Sequence, residues 1–501
     1  MHIGFFLKNV IEYAAVCSSI REGATVRKKY TNLGRVIDKS KLVFQSRSRG
    51  LFTYNLANNS YGAPPVDAIA PRRQRSHEKL MLDFGDTYFI SQFIRKCGLH
   101  PCLEAIGYGN PDTLFAMVCY YILCSAGNSH ASDWWSGNYA SILYAKANLD
   151  SQRISDFLTS IGDEYSYREF FKVYLKFMTK EDREGTSILI DSTGLPNSIH
   201  FPLTAISNHN GEISNEVRLI YVTHQETGLP IYFRYCPGNV IDTTTLTRTM
   251  AELKQSGVNI KFSILDAGYY DIENVTCLYN DGISFVMRLK ENTVLYKTML
   301  KEHFDSLACP ENFISYNDRY AYMKRVKCEL LPACPGYVYI GLYLDRRNSE
   351  EGKLFKRAKR AGMKDKDVLE HMEKQGIFML VSSRPIAKDK ILPTYYTRQQ
   401  IEQIFDIGKN YANMLPLRVQ SEDTLRGHLL LTFIASVIVK EMQDRLKKST
   451  YNITSMLLNL RNQKCKVYEK EVVTQEAFKK ANDCYKLFKI ECPVQIPRAI
   501  V

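Results

Sequence analysis

Four residues between positions 395 and 409 could bind a metal ion and phosphate groups from one face of a helix. Tyr395, Arg398, Glu402 and Lys409 follow one another at steps of three, four and seven residues. At about 100° per residue they fall within an arc of roughly 60° on an α-helix, and Pro393 just before them is a common residue at a helix start. Carboxylates bind ions of the magnesium type, and arginine and lysine bind phosphate oxygens. Mixed charge is also common on ordinary solvated helix faces, where each pair contributes only about 0.2–0.5 kcal/mol.

Two aspartates upstream add to this set of acidic side chains. Asp191 ends the short apolar run that begins at Ser187, and Asp266 directly follows the apolar run Asn259–Leu265. Each run is typical of a buried strand that presents its last side chain at the carboxyl edge of a sheet. With Glu402 they form a candidate carboxylate triad. Three carboxylates suit a pair of magnesium ions, which can activate an attacking oxygen and stabilise the leaving oxygen of a phosphodiester.

Composition narrows the classes of partner and compartment. The 501-residue chain has a formal net charge of +13, which favours nucleic acid first and an anionic membrane surface second. Its 13 cysteines include no Cys-x-x-Cys pair, so we expect reduced thiols in a cytosolic protein. The longest apolar stretch, Leu429–Val439, is shorter than the roughly 20 residues needed to cross a bilayer. We therefore expect a cytoplasmic protein without a membrane partner.

The order of predicted elements indicates a mixed α/β sheet. After the strand that ends at Asp191, the strand-like runs Val217–Thr223 and Leu229–Tyr235 flank a short polar turn and predict a hairpin. A helix capped by Asp242 or a following threonine comes next, then the second aspartate strand, a short helix and the strand Ser284–Leu289. This order suits a sheet with a three-stranded antiparallel part and crossover helices.

Composition and patterning divide the chain into six segments. Residues 291–374 begin with tyrosine-rich strand-like runs and end in a strongly basic run, which predicts a β-rich insertion. The basic segment 71–79 is a candidate phosphate-binding footprint, although a solvated charge run explains it equally well. The predicted segments are a basic arm and linker (1–68), a helical DNA-binding domain (69–180), the first part of the α/β core (186–290), the β-rich insertion (291–374), the second part of the core (375–447) and a helical C-terminal region (448–501).

The spacing at 395–409 resembles a signature of the DDE transposases of bacterial insertion sequences, in the branch known for a YREK motif. That motif is Tyr, two residues, Arg, three residues, Glu, six residues and Lys. Tyr395, Arg398, Glu402 and Lys409 match it without a gap.

Both aspartate segments strengthen the resemblance, which covers roughly residues 186–440. Asp191-Ser-Thr-Gly is similar to the first aspartate motif of the family, and Asp266-Ala-Gly-Tyr-Tyr-Asp is similar to the second. The position after the second aspartate is often basic in the family and is Ala267 here. The long segment before Glu402 is similar to the β-rich insertion that this branch carries in its catalytic domain.

The resemblance implies an RNase H-like core in which Asp191, Asp266 and Glu402 bind two Mg²⁺ ions, with Mn²⁺ as a substitute. Water would cut one strand at the end of the element, and the freed 3′-hydroxyl would then attack, commonly through a hairpin that is reopened before insertion. The implied partners are double-stranded DNA, at transposon ends and target, and a second copy of the chain in a DNA-bound homodimer. The implied location is the bacterial cytoplasm, in association with the nucleoid.

The resemblance also implies a set of DNA contacts. Tyr395, Arg398 and Lys409 would contact phosphates near the cleaved end, and Arg288 and Lys290, at the end of the strand before the insertion, are further candidates. The insertion of related proteins often supplies a tryptophan that stacks on a flipped base. Both tryptophans of this chain lie outside residues 291–374, so a hairpin step would need another aromatic residue.

Other functions compete with strand transfer. An RNase H-fold nuclease that cuts but never joins would use the same acidic residues. A transposase-derived DNA-binding protein without catalysis would be expected to have lost a carboxylate, and all three are present. A basic structural or membrane-surface protein would account for the net charge but not for the three acids.

Overall fold

The computed structural model describes residues 1–8, 11–22, 25–46, 48–65, 80–182, 184–199, 201–207, 213–372 and 375–497. The chain forms two compact units, Met1–Leu80 and Met81–Val501. The basic segment 71–79, a candidate phosphate-binding footprint, lies outside the described residues. None of the helices in the described ranges is long and apolar enough to span a bilayer.

The first unit is an antiparallel sheet in which each strand pairs with the next one along the chain. One face buries a small apolar core that includes Val16, Leu33, Phe44 and Phe52. Residues 1–62 are therefore strands and turns where described, whereas we predicted a basic arm and linker over residues 1–68. Residues 26–32 of the third strand are all exposed, so this strand lacks the two-residue alternation by which a half-buried strand is recognised. The strands are β1 (His2–Lys8), β2 (Ile11–Glu22), β3 (Thr25–Asp38), β4 (Val43–Ser46), β5 (Gly50–Asn55) and β6 (Ser60–Gly62).

The second unit opens with a short strand and a series of helices that share one large core. Asn110 caps the third helix by accepting a hydrogen bond from the backbone N–H of Thr113, and nearly all of that helix is buried. The elements are β7 (Leu80–Asp83), α1 (Gly85–Lys96), α2 (His100–Glu104), α3 (Pro111–Leu123), α4 (Ala131–Gly137), α5 (Ala140–Leu143), α6 (Ser151–Ile161) and α7 (Glu164–Thr179).

A long mixed sheet follows these helices. Its elements are β8 (Thr186–Pro196), β9 (Ala205–Ser207), β10 (Ser214–His224), β11 (Pro230–Pro237), α8 (Leu246–Gln255), β12 (Ile260–Leu265), α9 (Ile272–Asn280), β13 (Ser284–Arg288), α10 (Val294–His303), β14 (Phe313–Tyr316), β15 (Arg319–Leu331), β16 (Cys334–Tyr343), α11 (Leu344–Ala361), α12 (Asp365–Met372) and β17 (Ile377–Ser382). The strand order is β11-β10-β8-β12-β13-β17-β16-β15-β14, with β9 beside β10.

The direction of the strands confirms the predicted mixed α/β fold. Strands β11, β10 and β8 are antiparallel, as the predicted hairpin requires, whereas β12 runs parallel to both β8 and β13. The predicted insertion extends this sheet, because β16 pairs with β17 and β17 pairs with β13. The strands of residues 291–374 therefore continue the central sheet.

The C-terminal part combines helices with short strands. Strands β18 and β19 join β7 and the last strand in a sheet of order β20-β19-β18-β7, so the expectation of a helical C-terminal region was incomplete. Strands of three or four residues give too little alternation to be recognised from sequence. The elements are α13 (Ile391–Tyr396), α14 (Gln399–Tyr411), α15 (Glu422–Leu446), α16 (Ile453–Arg461), β18 (Lys464–Val467), β19 (Glu471–Thr474), α17 (Lys479–Phe488) and β20 (Gln495–Pro497).

Helix α15 is the buried centre of the second unit. It has 25 residues, most of them buried, and packs against α3, α6 and α14. Gly427 allows α6 to approach closely, since a Cβ atom there would clash with the carbonyl oxygen of Leu158.

Substitution of Gly427 tests this close contact. Gly427→Ala should lower the free energy of unfolding by about 1–3 kcal/mol, because the helices must move apart, and urea denaturation would measure the loss. The matched control is Gly352→Ala on α11, where a Cβ meets no atom within 4 Å. That variant should gain about 0.5–1 kcal/mol from helix propensity, and equal losses in the two variants would contradict the interpretation.

His428 on α15 gives the fold a pH dependence. Its Nδ1 lies 2.8 Å from the hydroxyl of Tyr121 and its Nε2 lies 3.1 Å from the carbonyl oxygen of Met414. The neutral ring therefore accepts from the phenol and donates to the carbonyl. Burial lowers the pKa of His428 below its usual 6.5, so the unfolded state binds a proton more readily than the folded state.

The free energy of unfolding should therefore fall as the pH drops through about 6.5 towards the lower pKa of folded His428. Urea denaturation at about pH 7.5 and 5.5 would measure this fall, and His428→Gln should remove most of it. His130→Gln, at an exposed histidine, should retain it. An undiminished fall in His428→Gln would show that other groups cause the pH dependence.

Candidate active site

The register of two parallel strands brings Asp191 and Asp266 together. Ile190 of β8 pairs with Leu265 of β12 as the last partners of the parallel ladder, so the two aspartates follow side by side. Strand β8 does not end at Asp191 as predicted, because it continues to Pro196 as the antiparallel partner of β10. Asp191 is consequently more enclosed than Asp266, with 14% of its side chain exposed against 36%.

The helix expected at 395–409 is interrupted. Tyr395 belongs to α13, which begins at Ile391, ahead of Pro393, and Arg398 is the residue before the first turn of α14. Between the two helices, Thr397 and Arg398 keep helical backbone angles but lie in a turn whose hydrogen bonds span three residues, a feature that the regular spacing did not reveal. The signature residues nevertheless face the same strand ends, as their contacts show.

One guanidinium nitrogen reaches all three predicted acids. Nη2 of Arg398 lies 3.0 Å from Oδ2 of Asp191, 3.5 Å from Oδ2 of Asp266 and 3.6 Å from Oε1 of Glu402. Glu402 is the most accessible of the acids, with 56% of its side chain exposed. With the acids ionised, one positive charge faces three negative charges, so the cluster has a net charge of −2.

Burial and neighbouring charges shift the pKa values of three side chains at this site. Burial raises the pKa of Asp191, and the charge of Arg398 opposes that rise. Burial alone would lower the pKa of Arg398, but the charges of Asp191 and Asp266 outweigh it and raise the pKa, so the guanidinium stays charged. Burial and the charge of Asp266 raise the pKa of Tyr395, so its phenol stays protonated.

Tyr395 and Lys409 reach the two aspartate motifs from the helices. The hydroxyl of Tyr395 donates to Oδ1 of Asp266 at 3.1 Å, and Nζ of Lys409 donates to Oγ1 of Thr193 at 3.0 Å. Burial lowers the pKa of Lys409, partly offset by the charge of Glu216. The structure thus brings together the four signature residues and both aspartates.

Arg288 and Lys290 lie around this cluster. The charge of Arg288 acts on the phenol of Tyr395, which places it near the helix side of the site. Lys290 lines a pocket of about 490 Å³ together with Asp242 and Gly268. Both predicted DNA-contact residues therefore lie near the three acids but outside the cluster around Arg398.

Asp242 is a residue whose place the sequence did not reveal. We predicted it as a possible helix cap, but it is the first residue of a short 3-10 helix whose cap position is Ile241. Its Oδ1 instead accepts from Ser192 at 2.6 Å and from Arg218 at 2.8 Å. A Cβ atom on Gly268 would lie 3.1 Å from its Oδ2. Asp242 thus packs between the segments that carry Asp191 and Asp266, through partners that no local pattern links to it.

The three carboxylates provide a suitable set of donors for a divalent cation. All are hard oxygen ligands, and when ionised they carry a charge of −3 without Arg398, which favours divalent cations. In the described ranges, however, no three His, Cys, Asp or Glu side chains are arranged to hold an ion. The guanidinium of Arg398 takes the central position among the acids, so metal binding would require this side chain to move.

Removal of the Asp242 charge tests its role between the two motifs. Asp242→Asn should lower the free energy of unfolding by up to about 3 kcal/mol, because a buried guanidinium loses its carboxylate partner, and urea denaturation would measure it. The control Asp156→Asn removes an exposed pair with Arg153 and should cost no more than about 1 kcal/mol. Equal losses of unfolding free energy in the two variants would show that the Asp242 pair stabilises the fold no more than an exposed salt bridge does.

Comparison with known proteins identifies the class to which this fold and site belong. The family model described as "Transposase DDE domain" matches residues 183–438, which is more than half of the chain. The chain therefore belongs to the DDE transposase family. Among curated proteins no match was found.

Among solved structures, the chain is similar to a piggyBac transposase, determined by cryo-EM as a synaptic complex with hairpin DNA. The two chains are 12% identical, with a TM-score of 0.39, over 74% of this chain and 75% of that chain.

Proposed function

We propose that this DDE transposase binds the ends of an insertion sequence, cuts their phosphodiester bonds and transfers the strands to target DNA. The observation that carries the proposal is the convergence of Asp191, Asp266 and Glu402 on one cation, Arg398. These acids come from two parallel strands and a distant helix, so the fold assembles them rather than a local motif.

In this proposal Asp191, Asp266 and Glu402 hold two divalent ions, Mg²⁺ or in its place Mn²⁺. When bound, such ions supply activation of the attacking oxygen and stabilisation of the leaving oxygen. The unequal exposure of the acids suits this task. Asp191 is a fixed, enclosed ligand, and Glu402 lies at the solvent side, where substrate arrives.

Arg398 would exchange its partners when DNA enters. A guanidinium binds phosphate oxygens through paired hydrogen bonds about as well as it binds carboxylates. Because the raised pKa of Arg398 keeps it charged, another anion is a favourable partner when it leaves the acids. The scissile phosphodiester is such an anion, so entry of DNA and release of the acids would be coupled.

The other signature residues would position the DNA backbone. Tyr395 keeps its single phenolic proton, which it now donates to Asp266 and would redirect to a phosphate oxygen when DNA binds. Lys409, now on Thr193, would turn to the phosphate beside the cut. Arg288 and Lys290 would extend this contact along the strand.

We extend the proposal to the organisation of the chain. Residues 186–290 and 375–447 would form the two parts of the catalytic core, residues 291–374 the insertion, and the helical region 69–180 would bind DNA.

Two copies would act on paired ends as a homodimer, since cleavage in trans prevents the cutting of a lone end. Light scattering with DNA would test this, and a monomer at every DNA concentration would contradict it.

Cleavage and joining of the DNA that flanks this gene test the proposed function. With Mg²⁺, the wild-type protein should excise and join, and Glu402→Gln should be slower by about 10³-fold or more, because the loss of one ligand charge disrupts the metal pair. Glu181→Gln, at an exposed glutamate, is the matched control and should act like the wild type.

The other outcomes identify the competing functions. Cutting without joining by the wild-type protein would indicate a nuclease. Binding without cutting, equal in the wild type and Glu402→Gln, would indicate a catalytically silent DNA-binding protein.

A further inference from the structure

The C-terminal half of α11 carries a concentrated positive surface. Lys353, Lys356, Arg357 and Arg360 line a groove of about 360 Å³, which we call the α11 groove. Their steps of three, one and three residues place them within an arc of roughly 100° on the helix. Residues 353–361 contain five cations and no acid.

The rest of α11 is fixed to the sheet domain. Leu354 and Ala358 are buried on the side opposite the groove, and Oε2 of Glu350 accepts from the backbone N–H of Gly376 at 2.8 Å. Packing and this bond hold the helix against the chain segment that leads into β17. The groove is thus a cationic surface on an anchored helix rather than part of a loose arm.

The acids of α11 are used at its other end. Glu350 pairs with Arg346 at 2.6 Å and Glu351 pairs with Arg347 at 2.7 Å. In the part of the chain that the structure describes, Lys356, Arg357 and Arg360 form no salt bridge.

Helix-dipole stabilisation accounts for only part of this cluster. Cations are favourable in the last turn of a helix, and Lys359 and Arg360 lie there. Lys353 and Lys356 precede that turn, so the dipole does not account for their presence on the same face as Arg360.

The start of α11 lies next to the helices of the candidate active site. Tyr343 directly precedes α11, and its hydroxyl lies 3.4 Å from that of Tyr396, the neighbour of Tyr395. At about 1.5 Å per residue, Lys353 and Arg360 lie roughly 14 and 24 Å along the helix from its first residue. Both distances are shorter than one turn of duplex DNA, about 34 Å, so a duplex that leaves the acids along α11 would reach this groove.

We infer that the α11 groove binds the phosphate backbone of duplex DNA away from the cleaved bond, without reading its sequence. The inference rests on the proposed function, since it assumes that duplex DNA is brought to Asp191, Asp266 and Glu402. Lysine and arginine side chains aligned on one face neutralise phosphates, and they require no base edge to do so. End DNA and target DNA offer the same phosphates, so the chemistry is common to both.

Salt-dependent binding of the full chain tests the inference. The variant replaces Lys353, Lys356, Arg357 and Arg360 with glutamine, and its affinity for duplex DNA is measured by fluorescence anisotropy over a range of salt concentrations. Each lost phosphate contact reduces the slope of log K against log salt by about 0.9. We expect a slope less steep by up to about 3.6 and at least about tenfold weaker binding near 0.1 M salt.

A matched variant separates the groove from net charge. It replaces Lys479, Lys480, Lys486 and Lys489, four exposed lysines on or directly after α17, with glutamine. This control should keep nearly the wild-type slope. An equal loss of slope in both variants would overturn the inference, because net charge alone would then explain the effect.

Two DNA probes and one activity measurement complete the experiment. Equal loss on gene-flanking DNA and on an unrelated duplex supports backbone binding, whereas loss on the flanking DNA alone overturns it. Cleavage of a short duplex that ends before the groove should be unchanged in the α11 variant, and its loss would indicate misfolding or a catalytic role instead. Failure of the wild-type protein to bind either duplex would refute the proposed function itself.

Discussion

The contact of Arg398 with three carboxylates is the interaction on which the candidate site depends. Asp191, Asp266 and Glu402 converge at a partly buried position, where uncompensated negative charges repel one another and lose hydration. One guanidinium nitrogen within 3.0–3.6 Å of all three relieves this repulsion. The cluster keeps a net charge of −2, so Arg398 stabilises the arrangement without satisfying it fully. A site with this remaining charge favours an additional cation.

Two features of the backbone create that convergence. The parallel pairing of β8 with β12 ends at Ile190 and Leu265, which fixes the two aspartates as neighbours. The tight turn between α13 and α14 follows Tyr395, which donates to Asp266, and contains Arg398, which donates to Asp191. Asp242 accepts hydrogen bonds from Ser192 and Arg218 and packs against Gly268, so it contacts both segments that carry the aspartates. The site is held by the sheet and by buried charge pairs rather than by one loop.

The sequence predicted a structural feature correctly where that feature depends on residues adjacent in the chain. The apolar runs before Asp191 and Asp266 predicted strands, and the spacing of the residues around Glu402 predicted a shared face, because both patterns are local. The sequence did not predict features that depend on residues far away in the chain. The partners of Asp242 lie 50 and 24 residues away, and the continuation of β8 past Asp191 depends on its pairing with β10.

The same limit explains the errors at the two ends of the chain. In the first unit, the cations of β3 lie in a part of the strand that is exposed throughout, so no alternation identifies it as a strand. In the C-terminal part, β18, β19 and β20 are too short to give a pattern, and they are stabilised by pairing that includes β7, almost four hundred residues earlier in the sequence. Composition described these segments correctly as basic, but charge does not determine backbone conformation.

The distribution of charge over the chain implies that the candidate site needs additional cations. The chain carries a net charge of +13, which attracts DNA over distances near the Debye length, whereas the acid cluster at −2 repels a phosphodiester at close range. On the proposed function, attraction brings DNA to the protein, and repulsion keeps it from the acids until cations balance them. Arg398 can supply only one positive charge, and it cannot serve the acids and a phosphate fully at once. Divalent ions would resolve this conflict, because they neutralise the acids and free the guanidinium for the DNA backbone.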